Sequence, residues 1–298
     1  MFAARISGLV SMPLVAALAV GCGGSEGTLA LVATGEDAAV GGFPVVDEGE
    51  TIAFADGWTL EFDKYLVSFG RLRLASASGE VGLDSDAVYV VDLHRGAAQV
   101  DLFAGVAAQR WDAFGFEVVA PPADAIVLDD VDEADVQRMR DNDYNYWIEG
   151  RASKDGVELS FAWGLANPTR NSDCTNGIDD TQGVVIRNSG TSNAEITFHL
   201  EHMFWNSLGT DAAELHFDPI AAMADADGRI EFDALADQNL ADLRDADGNP
   251  LVDGEGNPIV YDPASVPLAA DNLREFVLAA VSTQAHLDGG GLCTIDRI

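Results

Sequence analysis

Glu158-Leu159-Ser160-Phe161-Ala162-Trp163-Gly164-Leu165 alternates large apolar residues with small or polar ones. Successive side chains of an extended chain point to opposite faces, so a period of two puts Leu159, Phe161, Trp163 and Leu165 on one side. The spacing predicts a half-buried strand. Similar runs lie around it: Thr59 to Phe62, Lys64 to Leu74, Ala87 to His94 closed by Arg95-Gly96, and Trp111 to Val119 ended by Pro121-Pro122. Gly183 to Arg187 and Ala194 to Phe204 complete a set of roughly seven to nine strands. Short strands without long intervening helices predict a mainly β fold, a β-sandwich, rather than a parallel α/β sheet. Helical signals are local. Asp132 to Asp141 begins with acids and ends with Arg138 and Arg140, which complements the helix dipole. Asp211 to Ala224 and Ala269 to Gln284 also read as helices. Between them Gly248-Asn249-Pro250-Leu251-Val252 is echoed by Gly256-Asn257-Pro258-Ile259-Val260, which suggests an exposed hairpin.

The 298 residues carry 16 Lys+Arg against 50 Asp+Glu, a net charge of −34, and only two lysines, Lys64 and Lys154. At 48% hydrophobic the chain is apolar enough to fold despite that charge. So acidic a surface repels phosphate backbones and anionic lipid headgroups, which argues against nucleic acid as a partner. It suits salty surroundings or divalent cations, and equally a surface that does no more than keep the protein soluble.

The chain opens with MFAARISGLVSMPLVAALAVGCGGS: one positive charge at Arg5, then an apolar run from Ile6 to Val20. That run falls short of the about 20 apolar residues a membrane span needs and fits a secretory signal peptide. Ala19-Val20-Gly21-Cys22 resembles the bacterial lipobox, in which the signal is cut before the cysteine and the thiol is lipidated. The resemblance implies a signal peptide over 1–21 and lipidation at Cys22. Residues 22–42 are then expected as a flexible tether, followed by a sandwich over 43–220 and an acidic, loop-rich and helical segment over 221–298 packed on it. Gly23, in place of aspartate, implies the outer membrane, on its periplasmic face or at the cell surface. Loss of Arg5 with the signal takes the net charge to −35. Of the three cysteines, lipidation uses Cys22 and leaves Cys174 and Cys293, which an oxidising compartment would join as a disulfide. A two-cysteine metal site is the alternative.

Histidine is scarce, five in all, and His199, His202 and His216 fall close together. Imidazole is a common ligand of zinc and copper, so these residues, with His94 at another strand end, are candidate ligands. On a regular strand His199 and Glu201 would share a face and His202 would lie on the other. One metal could meet both histidines only if a bulge or turn began near His202. Separate hydrogen-bonded histidines at strand ends remain the alternative.

Asp225-Ala226-Asp227-Gly228-Arg229-Ile230-Glu231-Phe232-Asp233 resembles an EF-hand calcium loop. With Gly228 at the sixth position, however, Met223 and Ala234 fall where key ligands belong. Asp225, Asp227 and Asp233 are therefore weak calcium candidates, and the loop reads as degenerate. Asp245-Ala246-Asp247-Gly248-Asn249 begins in the same style.

No esterase elbow, zinc-protease helix, phosphate loop or dinucleotide fingerprint occurs. A metal-dependent hydrolase using Glu201 as a base stays open as a minor reading. Phe54-Ala55-Asp56-Gly57-Trp58, Tyr89 to Leu93, Tyr146-Trp147-Ile148-Glu149-Gly150 and the His199–Trp205 segment, taken in order, resemble the methanobactin-operon type of periplasmic copper-binding protein. That resemblance, over roughly residues 50–220, implies a β-sandwich, histidine-centred copper binding and lipoprotein anchoring. The expected function is an envelope lipoprotein that binds a transition metal, copper before zinc, without turnover. The alternative is an acidic structural or interaction lipoprotein, stabilised weakly by calcium, with a protein or glycan partner.

Overall fold

The strand expected from the alternation at 158–165 forms over Val157–Leu165, with Leu159, Phe161, Trp163 and Leu165 inward and Ser160 outward. The structure is a computed structural model that describes residues 25–47, 49–128, 131–209, 213–263 and 271–298. The protein is mainly β, 45% strand against 16% helix, with two curled sheets in a sandwich-like arrangement. In chain order the strands of these sheets are β1 (Glu26–Thr34), β2 (Thr59–Ala75), β3 (Val81–Asp84), β4 (Val88–Asp92), β5 (Ala98–Ala107), β6 (Ala113–Val118) and β7 (Ile126–Val127). They continue as β8 (Tyr146–Lys154), β9 (Val157–Leu165), β10 (Thr169–Ser172), β11 (Thr191–Phe198), β12 (Arg229–Ile230), β13 (Ala285–Leu287) and β14 (Thr294–Arg297). Four short helices accompany them: α1 (Glu36–Gly41), α2 (Glu133–Asp141), α3 (Asp218–Ala221) and α4 (Leu273–Val281).

The larger sheet runs β12-β9-β8-β2-β6-β10-β14, with β3 and β4 also paired to β2 and β7 to β4. Its backbone is β2, which pairs β8 through its first half and β6 and β3 through its second. A straight 17-residue strand would span about 56 Å. Here the register breaks between Gly70 and Arg73, and Arg71 takes φ 51°, which bends the strand. The smaller sheet runs β13-β11-β1-β5. The two sheets meet through aromatic rings: Phe198 of β11 packs edge-on against Phe69 of β2 at 5.4 Å and against Tyr146 of β8 at 6.4 Å. Each such fully buried ring contributes roughly 1.5–3 kcal/mol of hydrophobic stabilisation.

Three expectations change. Residues 22–42 do not act as a tether along their length, because β1 begins at Glu26 and sits in the middle of the smaller sheet between β11 and β5. The alternation Leu29, Leu31, Ala33 on its buried face is the signal a tether would lack. Residues 1–21 and Cys22 lie outside the described residues. The segment after 220 is also less helical than expected: β12, β13 and β14 are strands of the two sheets, and among the described residues α4 is the longest helix there. Trp163 ties this segment in, donating from Nε1 to the Ile230 carbonyl at 2.9 Å and packing on Phe232 at 5.6 Å. Finally, of the helices expected over 211–224 and 269–284, residues 211–212 and 269–270 lie outside the described residues, and the described parts are helical only over α3 and α4. Pro219 opens α3, and Asn272 caps α4 by accepting from the Glu275 N–H at 3.0 Å. The helix expected over 132–141 forms with Asp132 as its cap.

Cys174 and Cys293 form a disulfide that closes a separation of 119 residues. In the chain-entropy account a loop of that length is worth about 4–5 kcal/mol. Among the described residues no helix is long and apolar enough to cross a membrane.

Candidate metal centre

Strand β11 stops at Phe198, and the chain turns at once into a 3-10 segment over Leu200–Phe204. That turn supplies the break a regular strand would not, and brings His202 round to the side of His199. The two rings stack with centroids 5.3 Å apart and planes 12° from parallel. Among the described residues, His199, Glu201 and His202 are the one group of three whose candidate ligand atoms all lie within 4.8 Å of one another.

Two residues join them through sheet pairing. Strand β13 pairs antiparallel with β11, His286 opposite Thr197, so the His286 ring meets His199 edge-on at 4.6 Å and His202 at 5.4 Å. Strand β1 pairs parallel with β11, Thr34 opposite Thr197, so both chains leave the sheet at the same edge. The next residues after β1 are Gly35 and Glu36, and Glu36 Oε2 lies 3.2 Å from His199 Nδ1. Glu201 Oε1 approaches the same nitrogen at 3.1 Å. Glu36 holds φ 56°, uncommon for a residue with a side chain, and its N–H donates to Thr34 Oγ1 at 3.0 Å. Neither His286 nor Glu36 was singled out in the sequence. The scarcity of histidine could have flagged His286; nothing local marks Glu36 among 50 acids.

Thr283 sets the tautomers. Its single hydroxyl proton goes to the Ala280 carbonyl at 2.8 Å, so His202 Nδ1, 2.9 Å from Thr283 Oγ1, must donate to it. His286 Nε2 donates to the Thr283 carbonyl at 2.9 Å. A neutral imidazole carries one proton, so His202 keeps a lone pair on Nε2 and His286 on Nδ1. His286 Nδ1 is buried beside Gly290 with no hydrogen bond of good geometry. Metal-binding histidines carry this arrangement, an outer partner on one nitrogen and the lone pair on the other.

Electrostatics divides the rings into two kinds. Burial pushes the His202 imidazolium well below the usual histidine range, and the charges of His199 and His286 push the same way. Burial and the His199 charge likewise lower His286. For His199 burial also opposes charge, but the hydrogen bonds and charges of Glu201 and Glu36 outweigh it and push the ring up to about 10. Glu36 in turn is held below its ordinary value by the hydrogen bond from His199. The site thus presents two neutral imidazoles and one that holds a proton between two carboxylates. Nitrogen and carboxylate donors without thiolate suit copper(II) and zinc.

The walls are built from buried polar contacts. Gln284 accepts from Tyr65 Oη at 3.2 Å, and its backbone carbonyl takes the His199 N–H at 2.9 Å. Trp205 stacks on His202 with centroids 3.7 Å apart. Gly289, in the turn that leads to the disulfide at Cys293, places its carbonyl 3.4 Å from His199 Nε2.

Two candidate ligands fall elsewhere. His94 stands in a 3-10 turn after β4, and its Nδ1 donates to the Ala39 carbonyl of α1 at 2.9 Å. It steadies the helix that carries Glu36 and does not join the cluster. His216 lies beside Asp56 and Glu214. The calcium candidates also stay apart. Asp225 Oδ1 accepts from the N–H groups of Asp227 and Arg229, both at 2.9 Å, while Asp233 pairs with Arg274 at 3.0 Å. Asp227 is exposed. Asp245 and Asp253 repeat the Asp225 turn, each accepting two N–H groups of its own loop.

No family model matches the chain, and neither the curated proteins nor the solved structures give a match.

Proposed function

We propose that this protein is an envelope lipoprotein that binds a transition metal, copper ahead of zinc, without chemical turnover. The observation that carries the reading is the convergence of His199, Glu201 and His202 within 4.8 Å, with His286 and Glu36 beside them. His202 and His286 have their protonated nitrogens tied to Thr283, which leaves lone pairs available. Affinity of such donor sets rises to copper and falls back at zinc, which sets the order of metals. The lipobox-like Ala19-Val20-Gly21-Cys22 supports anchoring through a lipid on Cys22, and Gly23 supports the outer membrane. Since β1 begins at Glu26, only residues 23–25 would separate anchor from fold, a reach of about 10 Å, so the domain would ride against the bilayer. The acidic chain would then face an anionic lipid surface at close range, held by its acyl chains rather than by charge.

The test is metal content of the exported domain carrying Cys22→Ser, loaded separately with copper, zinc and calcium and then dialysed. We expect His199→Ala/His202→Ala to lower bound copper by about one per chain. Copper retained by neither protein would overturn the reading.

A further inference from the structure

The loop Phe54–Trp58 lies against the segment Glu214–Ala221, joined by a bridge between Phe54 and Leu215. Asp56 Oδ2 accepts the backbone N–H groups of Phe217 at 2.6 Å and Asp218 at 2.7 Å. Its other oxygen, Oδ1, is buried and makes no hydrogen bond among the described residues. His216 Nδ1 lies 3.9 Å from Asp56 Oδ2 and is likewise buried without a hydrogen bond. Both side chains are 5% exposed. On the far side of the ring, His216 Nε2 lies 3.4 Å from Glu214 Oε2. Asp218 completes the surroundings, with Oδ1 accepting from Trp58 Nε1 at 2.7 Å and from Lys154 Nζ at 2.8 Å.

Asp56 and Glu214 therefore flank one imidazole, Asp218 stands beside Asp56, and Lys154 is committed to Asp218. With Nε2–H directed to Glu214, the buried Nδ1 presents a lone pair beside Asp56, whose Oδ2 takes two backbone N–H groups and whose buried Oδ1 takes none. Two acceptors facing each other need a positive species between them. A tetrahedral zinc ion, at about 2.1 Å from nitrogen and oxygen, sets its ligand atoms about 3.4 Å apart, and the Asp56 carboxylate, with Oδ2 3.9 Å from His216 Nδ1, stands within reach of that spacing. The Glu214 contact is the outer carboxylate that orients a metal-bound histidine.

We propose that Asp56 and His216 form a second metal site, separate from the His199 cluster, that takes a divalent ion of the zinc class. Asp218 adds its charge beside the pair, and the remaining positions fall to water. Bound there, the ion pins the 54–58 loop, with Phe54 and Trp58, onto Phe217 in the core. Its role is to hold these two segments together, and it does not depend on the copper reading.

The experiment uses the His199→Ala/His202→Ala protein, loaded with zinc and dialysed. About one zinc per chain should remain, lost on further substitution Asp56→Asn, and zinc should raise the melting temperature of the first protein alone. Long-range imidazole nitrogen spectra should show zinc shifting His216, a readout that needs no further variant to fold. No zinc retained in the double variant, zinc retained undiminished after Asp56→Asn, or a His216 signal that zinc leaves unmoved would each overturn the site. The last two outcomes would place the ion in the exposed aspartate turns, and the first would leave a proton as the only bridge between Asp56 and His216.

Discussion

The segment His199–Trp205 and the loops between Asp225 and Asn257 are both crowded with side chains that bind metals, yet they use them in opposite ways. In the loops, Asp225, Asp245 and Asp253 each turn inward on their own backbone, accepting N–H groups two and four residues ahead. Gly228, Gly248 and Gly256 at φ 75°, 81° and 88° close the turns. Asn249 and Asn257 add side-chain hydrogen bonds that hold Asp245 and Asp253 below the ordinary carboxylate range. The carboxylates are satisfied by the turn that carries them. In the histidine cluster the partner of His202 and His286 is Thr283, a residue outside the ligand set, and each of these rings keeps a lone pair on its other nitrogen. A ligand set needs residues whose local bonds leave something over, and three near-copies of an aspartate turn do not provide that.

The sharpest way to test this contrast is pH. His199 is raised above its unfolded value, so its pairing with Glu201 and Glu36 stabilises the metal-free fold fully below about pH 6.5 and loses that contribution as pH rises to about 10. Metal needs the neutral ring and meets the opposite trend. Copper affinity should climb by about tenfold per unit, roughly a hundredfold from pH 7 to pH 9, measured against a chelator whose own protonation is corrected for. A flat profile would remove His199 from the ligand set. A smaller effect is expected of Thr283→Val, which keeps the shape but deletes the acceptor for His202 Nδ1. Copper affinity should fall about tenfold while the melting temperature of the metal-free protein changes far less in proportion. Equal affinity in the variant would mean that the tautomer is set without Thr283. The smallest effect belongs to the loops. Asp225→Asn/Asp245→Asn/Asp253→Asn should leave copper binding unchanged, and calcium should leave the melting temperature of the parent protein where it was. A calcium-dependent rise in melting temperature, abolished in that variant, would break the comparison and favour a calcium-stabilised surface.

Several features were legible along the chain because they are local. The alternation at 158–165 became a strand with the faces expected of it, since the pleat alone decides which side chains share a face. The helix expected at 132–141 formed over Glu133–Asp141, with Asp132 as its cap. The echoed Gly-Asn-Pro segments form matched turns, because aspartate and glycine write the backbone geometry within five residues, but as two successive turns with Leu251 and Ile259 buried rather than one exposed hairpin. The strand β1 falls in the stretch expected as a tether, where Leu29, Leu31 and Ala33 carry the period of two.

What the sequence determined by itself was the mainly β build, the turn chemistry and the presence of a few scarce imidazoles. Which of those imidazoles meet was decided by the tertiary structure. His202 joins His199 because β11 ends at Phe198, four residues short of His202, and the chain turns into the 3-10 segment Leu200–Phe204. His286 arrives from more than 80 residues away through antiparallel pairing of β13 with β11, and Glu36 through parallel pairing of β1 with the same strand. His94 and His216, closer in kind, were sent to a helix carbonyl and to a carboxylate pair instead. Side-chain period is a property of a single strand and can be read from it. Convergence depends on which strands lie side by side and in what register, and that is settled by the burial of whole faces, to which no ligand residue contributes a local signal.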